Sequence, residues 1–298
     1  MLLNQFPQRS RCIMELQLWL KIVALFDTPC KRRRSMHFRF SDSDILKVWF
    51  WSVIHDRPIS WAVQTENWPV HLRRHPLPSN TTMSRRLRSR SITTMLDNLQ
   101  QLVVAPQGDS LYWMIDGKPL TIGGCSKDRQ AGYGRAAGCM AKGYKLHAIV
   151  AKNGQIADWR IAPMNKDERV MAERMLKTTN VRGYVVADSN YDSNKLHAVC
   201  DKRGSLQLVC RRRYGEHRKM GHRKQSAGRL RSKEILESPC NDFGKDLLIQ
   251  RDAIERKFAS LTNWGGGLTH LPPWVRTHRR VKRWVQAKLI YGALKLKR

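Results

Sequence analysis

Two short apolar runs that each end in an aspartate constrain the fold of this chain more than any other feature. Residues 111–116 read LYWMID, and residues 183–188 read GYVVAD. Short apolar runs rich in β-branched and aromatic residues are typical of buried strands. Two more such runs lie between them, GYKLHAIV and QIADWRIA, and Asn153-Gly154 between those is a strong two-residue hairpin signal.

The segments that follow the hairpin indicate the fold class. Residues 166–177 and 193–204 have apolar positions at helical spacing, and the second segment ends in a glycine that favours helix termination. Residues 205–210 predict a further strand, and residues 246–262 predict a late helix. A hairpin meander followed by βαβ units predicts an α/β fold with a mixed sheet. The Gly132-Tyr133-Gly134 stretch predicts a flexible connector between the first two strands.

Residues 1–105 predict a mostly helical N-terminal region. Asp42 or Ser43 is expected to cap one helix, and a later helix, rich in arginine, includes Arg85 and Arg86. Short helices with an arginine-rich member suit a DNA-binding module, although such a region could also be a helical cap that only packs on the next domain. We therefore expect a helical DNA-binding region at 1–105 and an α/β domain at 106–298. The α/β domain would carry a basic loop or insertion at about 211–244 and C-terminal helices at about 246–298.

The charge balance narrows the classes of partner. Lys and Arg number 55 against 24 Asp and Glu, for a net charge of +31. Because such an excess strains a compact state, it favours a polyanionic partner over a neutral metabolite. No window of 18 uncharged apolar residues suggests a membrane-spanning helix, so we expect no membrane partner and a cytoplasmic, nucleoid-associated protein. The basic residues concentrate at 211–234 and 276–298, around a less basic centre.

Three acids are candidates for metal chemistry. Asp116 and Asp188 each end an apolar run, where a carboxylate can face a cleft outside the strand ends. Glu255 lies on the predicted late helix, four residues after Arg251 and on the same face. Each acid alone is more often structural, as a turn residue or as half of an ion pair. Three carboxylates from separate elements can together hold two Mg²⁺ or Mn²⁺ ions about 4 Å apart at a phosphodiester.

The sequence resembles the DDE transposases of bacterial insertion sequences, of the insertion-sequence-four and -five type. The pieces that carry the resemblance are IDG at 115–117, GYKLHAIV at 143–150, VVADSNYDS at 185–193 and RDAIERKFASLTNWGG at 251–266. The resemblance implies an RNase H-like catalytic core. It also implies that Asp116, Asp188 and Glu255 form the catalytic, metal-binding triad.

The same resemblance implies a set of DNA contacts. Arg251 matches an arginine that would contact a DNA phosphate near the cut. The insertion-sequence-four signature also asks for a tyrosine and a lysine where this chain has Leu248 and Thr262, which favours the related -five type. Further expected contacts come from Lys257 near the triad and from the basic zones, namely Arg85, Arg86, Arg211, Arg212 and Arg213.

The implied function is a DNA transposase that cleaves insertion-sequence ends and transfers the strand into target DNA. The partners would be double-stranded DNA and a second copy of the chain in a homodimer. Two alternatives stay open from the residues alone. One is an RNase H-like nuclease without strand transfer, and the other is a catalytically decayed DNA-binding protein.

Overall fold

The computed structural model describes most of the chain, and it divides into two compact units. The described residues are 6–27, 39–73, 76–104, 110–123, 126–136, 138–213, 224–237, 242–262, 267–268 and 270–296, with the backbone alone for 6–12 and 296. The first unit groups the described residues of Met1–Val103, Leu261–Leu268 and Arg283–Arg298. The second unit groups those of Val104–Ser260 and Thr269–Lys282. Within these described ranges, no helix is long and apolar enough to cross a membrane.

The second unit is built on a six-stranded mixed sheet. Its order is β2-β3-β1-β5-β6, with β4 also paired to β3. The β1–β5 and β5–β6 pairs are parallel, and the other pairs are antiparallel. This confirms the predicted α/β class. The strands are β1 (Tyr112–Thr121), β2 (Gly132–Ala136), β3 (Cys139–Ala151), β4 (Ile156–Pro163), β5 (Gly183–Ala187) and β6 (Leu206–Cys210).

The predicted hairpin and the helices predicted at 166–177 and 193–204 take their expected places. Gly154 has φ +80° in the β3–β4 turn, and Gly204 has φ +65° at the end of a helix, so both adopt the left-handed conformation that glycine permits. The helices that accompany the sheet are α6 (Glu168–Thr178), α7 (Asn194–Arg203), α8 (Ala227–Glu237), α9 (Phe243–Gln250) and α10 (Asp252–Thr262).

Two local predictions were wrong. Residues 132–136 form strand β2, which pairs with the first residues of the long strand β3, rather than a flexible connector. Residues 246–262 form parts of two helices, which are separated at Arg251, rather than one continuous helix. Within the expected basic segment at 211–244, helix α8 contacts β6, while residues 214–223 and 238–241 lie outside the described part of the chain.

The two faces of the sheet have different coverings. On one face, Ile115 and Val185 belong to a buried cluster with Met175 of α6 and Leu196 of α7. Because side chains alternate along a strand, the residues next to them in sequence point to the opposite face. Helix α9 contacts β1 and β5, and its Leu247 is fully buried.

The first unit is helical, as the sequence predicts for its N-terminal part. The side chain of Ser41, rather than Asp42 or Ser43, caps α2 in a reciprocal capping box with Asp44. The fully buried Lys288 donates to the carbonyl of Val53 at 2.8 Å and to Asp56 at 2.6 Å. Besides the last two residues of α10, the α-helices with residues in this unit are α1 (Phe6–Asp27), α2 (Asp42–Ile54), α3 (Ile59–Ala62), α4 (Asn80–Arg86), α5 (Arg90–Val104) and α11 (His278–Leu296).

Candidate active site

Asp116 lies within strand β1 and does not end it, contrary to the sequence prediction. Strand β1 continues to Thr121 because it pairs with β3 along its whole length, with Asp116 opposite Ala148. Its parallel pairing with β5, however, stops at Met114 and Val186. Asp116 therefore sits two residues beyond the point where β1 loses its parallel neighbour, so its carboxylate still lies at an open strand end.

Asp188 follows β5 directly, as predicted. Its side chain accepts a hydrogen bond from the Asn190 backbone N–H at 2.9 Å and caps the 3₁₀ turn Ser189–Tyr191. The register that pairs Met114 with Val186 places Asp116 and Asp188 two residues further along adjacent strands. Since equal offsets preserve the side-chain face, the two carboxylates converge at the end of the parallel pair.

The electrostatics of Asp116 reflect this convergence. Burial raises the pKa of Asp116 to about 6, and the negative charges of Asp188 and Glu168 contribute to the rise. A hydrogen bond from the Gly117 N–H to Oδ1, at 2.7 Å, and the positive charge of Arg251 act in the opposite direction. Asp188 and Glu168 therefore lie near enough to Asp116 for their charges to act on its pKa.

Glu255 joins this group through Arg251. It lies exposed on α10, and its Oε1 accepts a hydrogen bond from Arg251 Nη2 at 3.0 Å. The charge of Arg251 also lowers the pKa of Asp116, so the same guanidinium acts on both carboxylates. The i,i+4 pair is the one that the sequence predicts. Arg251 lies at the break between α9 and α10, directly before the first residue of α10.

Three residues near the carboxylates were not predicted from the sequence. Glu168 begins α6, and Lys145 of β3 donates to its Oε1 at 2.5 Å. Tyr191 is 1% exposed, and its hydroxyl has no hydrogen-bond partner among the described residues. Burial raises the pKa of Tyr191 far above its usual value, and the charges of Asp116, Glu168 and Asp188 add to this. An acid at a helix start reads as a helix cap, so the sequence held no distinct signal for Glu168.

The donor set fits a hard divalent cation. Carboxylate oxygens are the ligands that Mg²⁺ prefers in proteins, and Asp116, Asp188 and Glu255 could supply them. The buried hydroxyl of Tyr191, without a partner, indicates a polar environment that the protein alone leaves incomplete. A cation would also relieve the charge repulsion that raises the pKa of Asp116.

A second polar cluster lies in the same unit and has a different character. Ligand-type atoms of Asp192, His197 and Cys210 lie within 4.8 Å of one another, and all three residues are buried. Arg229, however, binds both carboxylate oxygens of Asp192, at 2.7 and 2.6 Å, and the Arg213 N–H adds a third bond at 3.1 Å. Burial raises the pKa of the Cys210 thiol, which keeps it protonated. The Asp192 carboxylate is therefore satisfied within the protein, and the charge of Arg229 already balances its negative charge.

The predicted DNA-contacting residues differ in exposure. In the first unit, Arg85 is exposed, whereas Arg86 is 8% exposed and pairs with Asp42 at 2.7 Å. In the second unit, Arg211 and Arg213 are exposed, and Arg212 pairs with Glu237 at 2.5 Å. Lys257 is 5% exposed, and burial lowers the pKa of its ammonium group to about 8.

Comparison with known proteins agrees with this geometry. Residues 113–290 match the family model of the transposase DDE domain. A similar solved structure is the synaptic complex of piggyBac transposase with hairpin DNA, at 12% sequence identity and a TM-score of 0.44, with 95% of this chain and 70% of that chain covered. No curated protein matches the chain.

The family match alone carries the assignment. It extends over more than half of the chain, from β1 into α11, and includes every carboxylate of the candidate site. The structure adds a mixed six-stranded sheet with flanking helices. The chain therefore belongs to the transposase DDE-domain family, and it is a DNA transposase, an enzyme that acts on DNA.

Proposed function

We propose that this transposase cleaves phosphodiesters at the ends of an insertion sequence and transfers the freed strand into target DNA. The observation that carries the proposal is the convergence of Asp116 and Asp188 at the open end of the β1–β5 pair. We assign the binding of two Mg²⁺ or Mn²⁺ ions to these aspartates and Glu255. When bound, such ions activate a water or 3′-hydroxyl nucleophile and stabilise the leaving oxygen.

The residues around the carboxylates have separate tasks in this proposal. Asp116 must be deprotonated to bind a cation, which its pKa of about 6 permits at neutral pH. Arg251 holds Glu255 at 3.0 Å in the protein alone. A DNA phosphate at the site would compete for this guanidinium, and Glu255 would then be released toward the cation. Arg251 thereby links the arrival of DNA to completion of the metal site.

The DNA-contacting surface is proposed to include the exposed arginines of each unit, namely Arg85, Arg211 and Arg213. Exposed guanidinium groups bind phosphate oxygens in bidentate fashion. Arg86 and Arg212 form ion pairs within the protein, and Lys257 is buried. These contacts favour a structural role for the three residues over DNA binding. Because two element ends must be held together, we propose a homodimer on double-stranded DNA.

The central experiment separates binding from chemistry. Asp116→Asn, Asp188→Asn and Glu255→Gln should each abolish Mg²⁺-dependent or Mn²⁺-dependent cleavage of DNA carrying the element's ends, and binding of that DNA in a gel-shift assay should persist. Asp252→Asn is the matched control, since Asp252 is an exposed acid on the same helix as Glu255. Full cleavage by any of the three variants would refute the assignment.

The products distinguish strand transfer from simple nuclease activity. In a reaction that also contains a target plasmid, joined products are expected from the wild-type chain. Cleavage without joined products would instead favour an RNase H-like nuclease, and an absence of metal-dependent nicking would favour a decayed DNA-binding protein.

A further inference from the structure

The proposed chemistry leaves one carboxylate near the site without a role. Glu168 lies at the start of α6, on a different element from each member of the triad. Its charge is close enough to Asp116 to act on the pKa of that residue in the same direction as Asp188 does. The neighbouring Asp167 is not equivalent, because Arg169 binds both of its oxygens, at 2.8 and 3.2 Å.

The position of Glu168 depends on the glycine that follows Asp116. A Cβ atom at Gly117 would lie 3.3 Å from Glu168 Oε1 and 2.8 Å from Lys145 Cδ. The missing side chain at this position therefore lets the Lys145–Glu168 pair approach the backbone beside Asp116. Lys145 Nζ fixes Oε1 at 2.5 Å, and both side chains are largely buried, at 14% and 22% exposure.

Tyr191 gives an independent sign that these acids surround one polar site. Its hydroxyl is buried and has no hydrogen-bond partner in the part of the chain that the structure describes. Asp116, Glu168 and Asp188 act on that hydroxyl through their charges, and so does Asp167, whose oxygens are bound by Arg169. A buried hydroxyl with carboxylates near it and no partner among the described residues is a group that a bound, hydrated cation would satisfy.

We propose that Glu168 supplies a further carboxylate to the divalent-cation site of Asp116 and Asp188, and that Lys145 positions it. This inference rests on the proposed function, because it requires a cation at the two aspartates. In the protein alone, Lys145 balances the charge of Glu168. With the cation bound, the Glu168 carboxylate faces it either directly or through a metal-bound water.

The test measures metal binding by the full-length protein without DNA. Mn²⁺ affinity is determined by titration calorimetry, with free Mn²⁺ followed by electron paramagnetic resonance. Glu168→Gln should weaken Mn²⁺ binding about tenfold, as loss of a supporting group commonly does. Glu168→Asp, which retains the charge, should recover part of the affinity. Glu173→Gln is the control, since Glu173 lies on the same helix and its oxygens bind Lys177 and Lys195 at 2.7 Å.

The outcomes separate this inference from the proposed function. Wild-type Mn²⁺ affinity in Glu168→Gln, with loss of binding in Asp116→Asn, would overturn the role of Glu168 and leave the site itself standing. Wild-type affinity in Asp116→Asn would overturn the proposed site. If Glu168→Gln does not fold by circular dichroism, Glu168→Asp decides: weakened binding supports the inference, and unchanged binding overturns it.

Discussion

Replacement of Asp116 by asparagine should stabilise the metal-free protein while it abolishes cleavage. Asparagine preserves the shape of the side chain and its Oδ1, so the hydrogen bond from the Gly117 N–H can persist. What the substitution removes is a negative charge that is half-buried and lies beside the charges of Asp188 and Glu168. Asp116, which is proposed to bind the cation, would then lower the free energy of unfolding of the metal-free protein.

The size of the effect follows from the pKa. A rise from 3.8 to about 6, at 1.36 kcal/mol per pKa unit, corresponds to about 3 kcal/mol. Because the folded state binds the proton more tightly, the wild-type free energy of unfolding falls as pH rises from about 4 to about 6. Above about pH 6, the ionised Asp116 lowers the wild-type free energy of unfolding by its full amount. Partial exposure screens the charge, so we expect Asp116→Asn to gain about 1–3 kcal/mol at pH 7.5.

Urea denaturation of both proteins in EDTA, from pH 4 to pH 8, measures this directly. The stability difference should be small at pH 4 and reach its maximum above pH 6. Added Mn²⁺ should stabilise the wild-type protein but not the variant, since only the wild-type protein retains the proposed cation site. A variant that is less stable than the wild-type protein at pH 7.5, or a difference that does not change with pH, would refute the reasoning.

Three further predictions concern residues of the second unit. Asp192→Asn should lower the free energy of unfolding by about 3 kcal/mol, measured by urea denaturation, because it removes the buried carboxylate that balances the charge of Arg229; a loss below about 1 kcal/mol would contradict this. Arg251→Gln should change the free energy of unfolding by less than about 0.5 kcal/mol, because the Arg251–Glu255 ion pair is exposed. The same variant should raise the midpoint pH of Mn²⁺ binding, since Arg251 lowers the pKa of Asp116. An unchanged midpoint pH would contradict this role of Arg251. Gly117→Ala should weaken Mn²⁺ binding several-fold with an unchanged circular dichroism spectrum, because the new methyl group presses on Glu168 and Lys145. Wild-type Mn²⁺ affinity would show that the close approach of Glu168 to Gly117 does not affect cation binding.

The sequence predicted those features of the fold that depend on local chemistry. Apolar runs marked β1, β3, β4, β5 and β6, and glycines marked the hairpin and the end of α7, because buried strands and left-handed turns impose strict residue preferences. Strand β2 escaped prediction because Gly132 and Gly134 have low strand propensity. Its pairing with the extended first part of β3 is a non-local contact.

The candidate site was predictable in part for the same reason. Asp188 follows an apolar run and lies where expected, whereas the Gly-Lys-Pro that follows Asp116 reads locally as a turn, although β3 holds it in a strand. Glu168 and Tyr191 gain their significance only from distance to Asp116 in the folded chain. The residues next to Glu168 and Tyr191 in the sequence do not indicate that the two side chains lie near Asp116.

The internal ion pairs divide the positive charge of this protein into two populations with different responses to salt. Lys288 is buried and pairs with Asp56 at 2.6 Å, and the buried Asp192 pairs with Arg229 at the same distance. Because one partner of each pair lies out of solvent, mobile ions screen these pairs poorly. Exposed arginines such as Arg211 face a solvent whose screening length falls to about 3 Å at 1 M salt. A concentrated salt wash should therefore strip nucleic acid from the protein during purification and leave it folded.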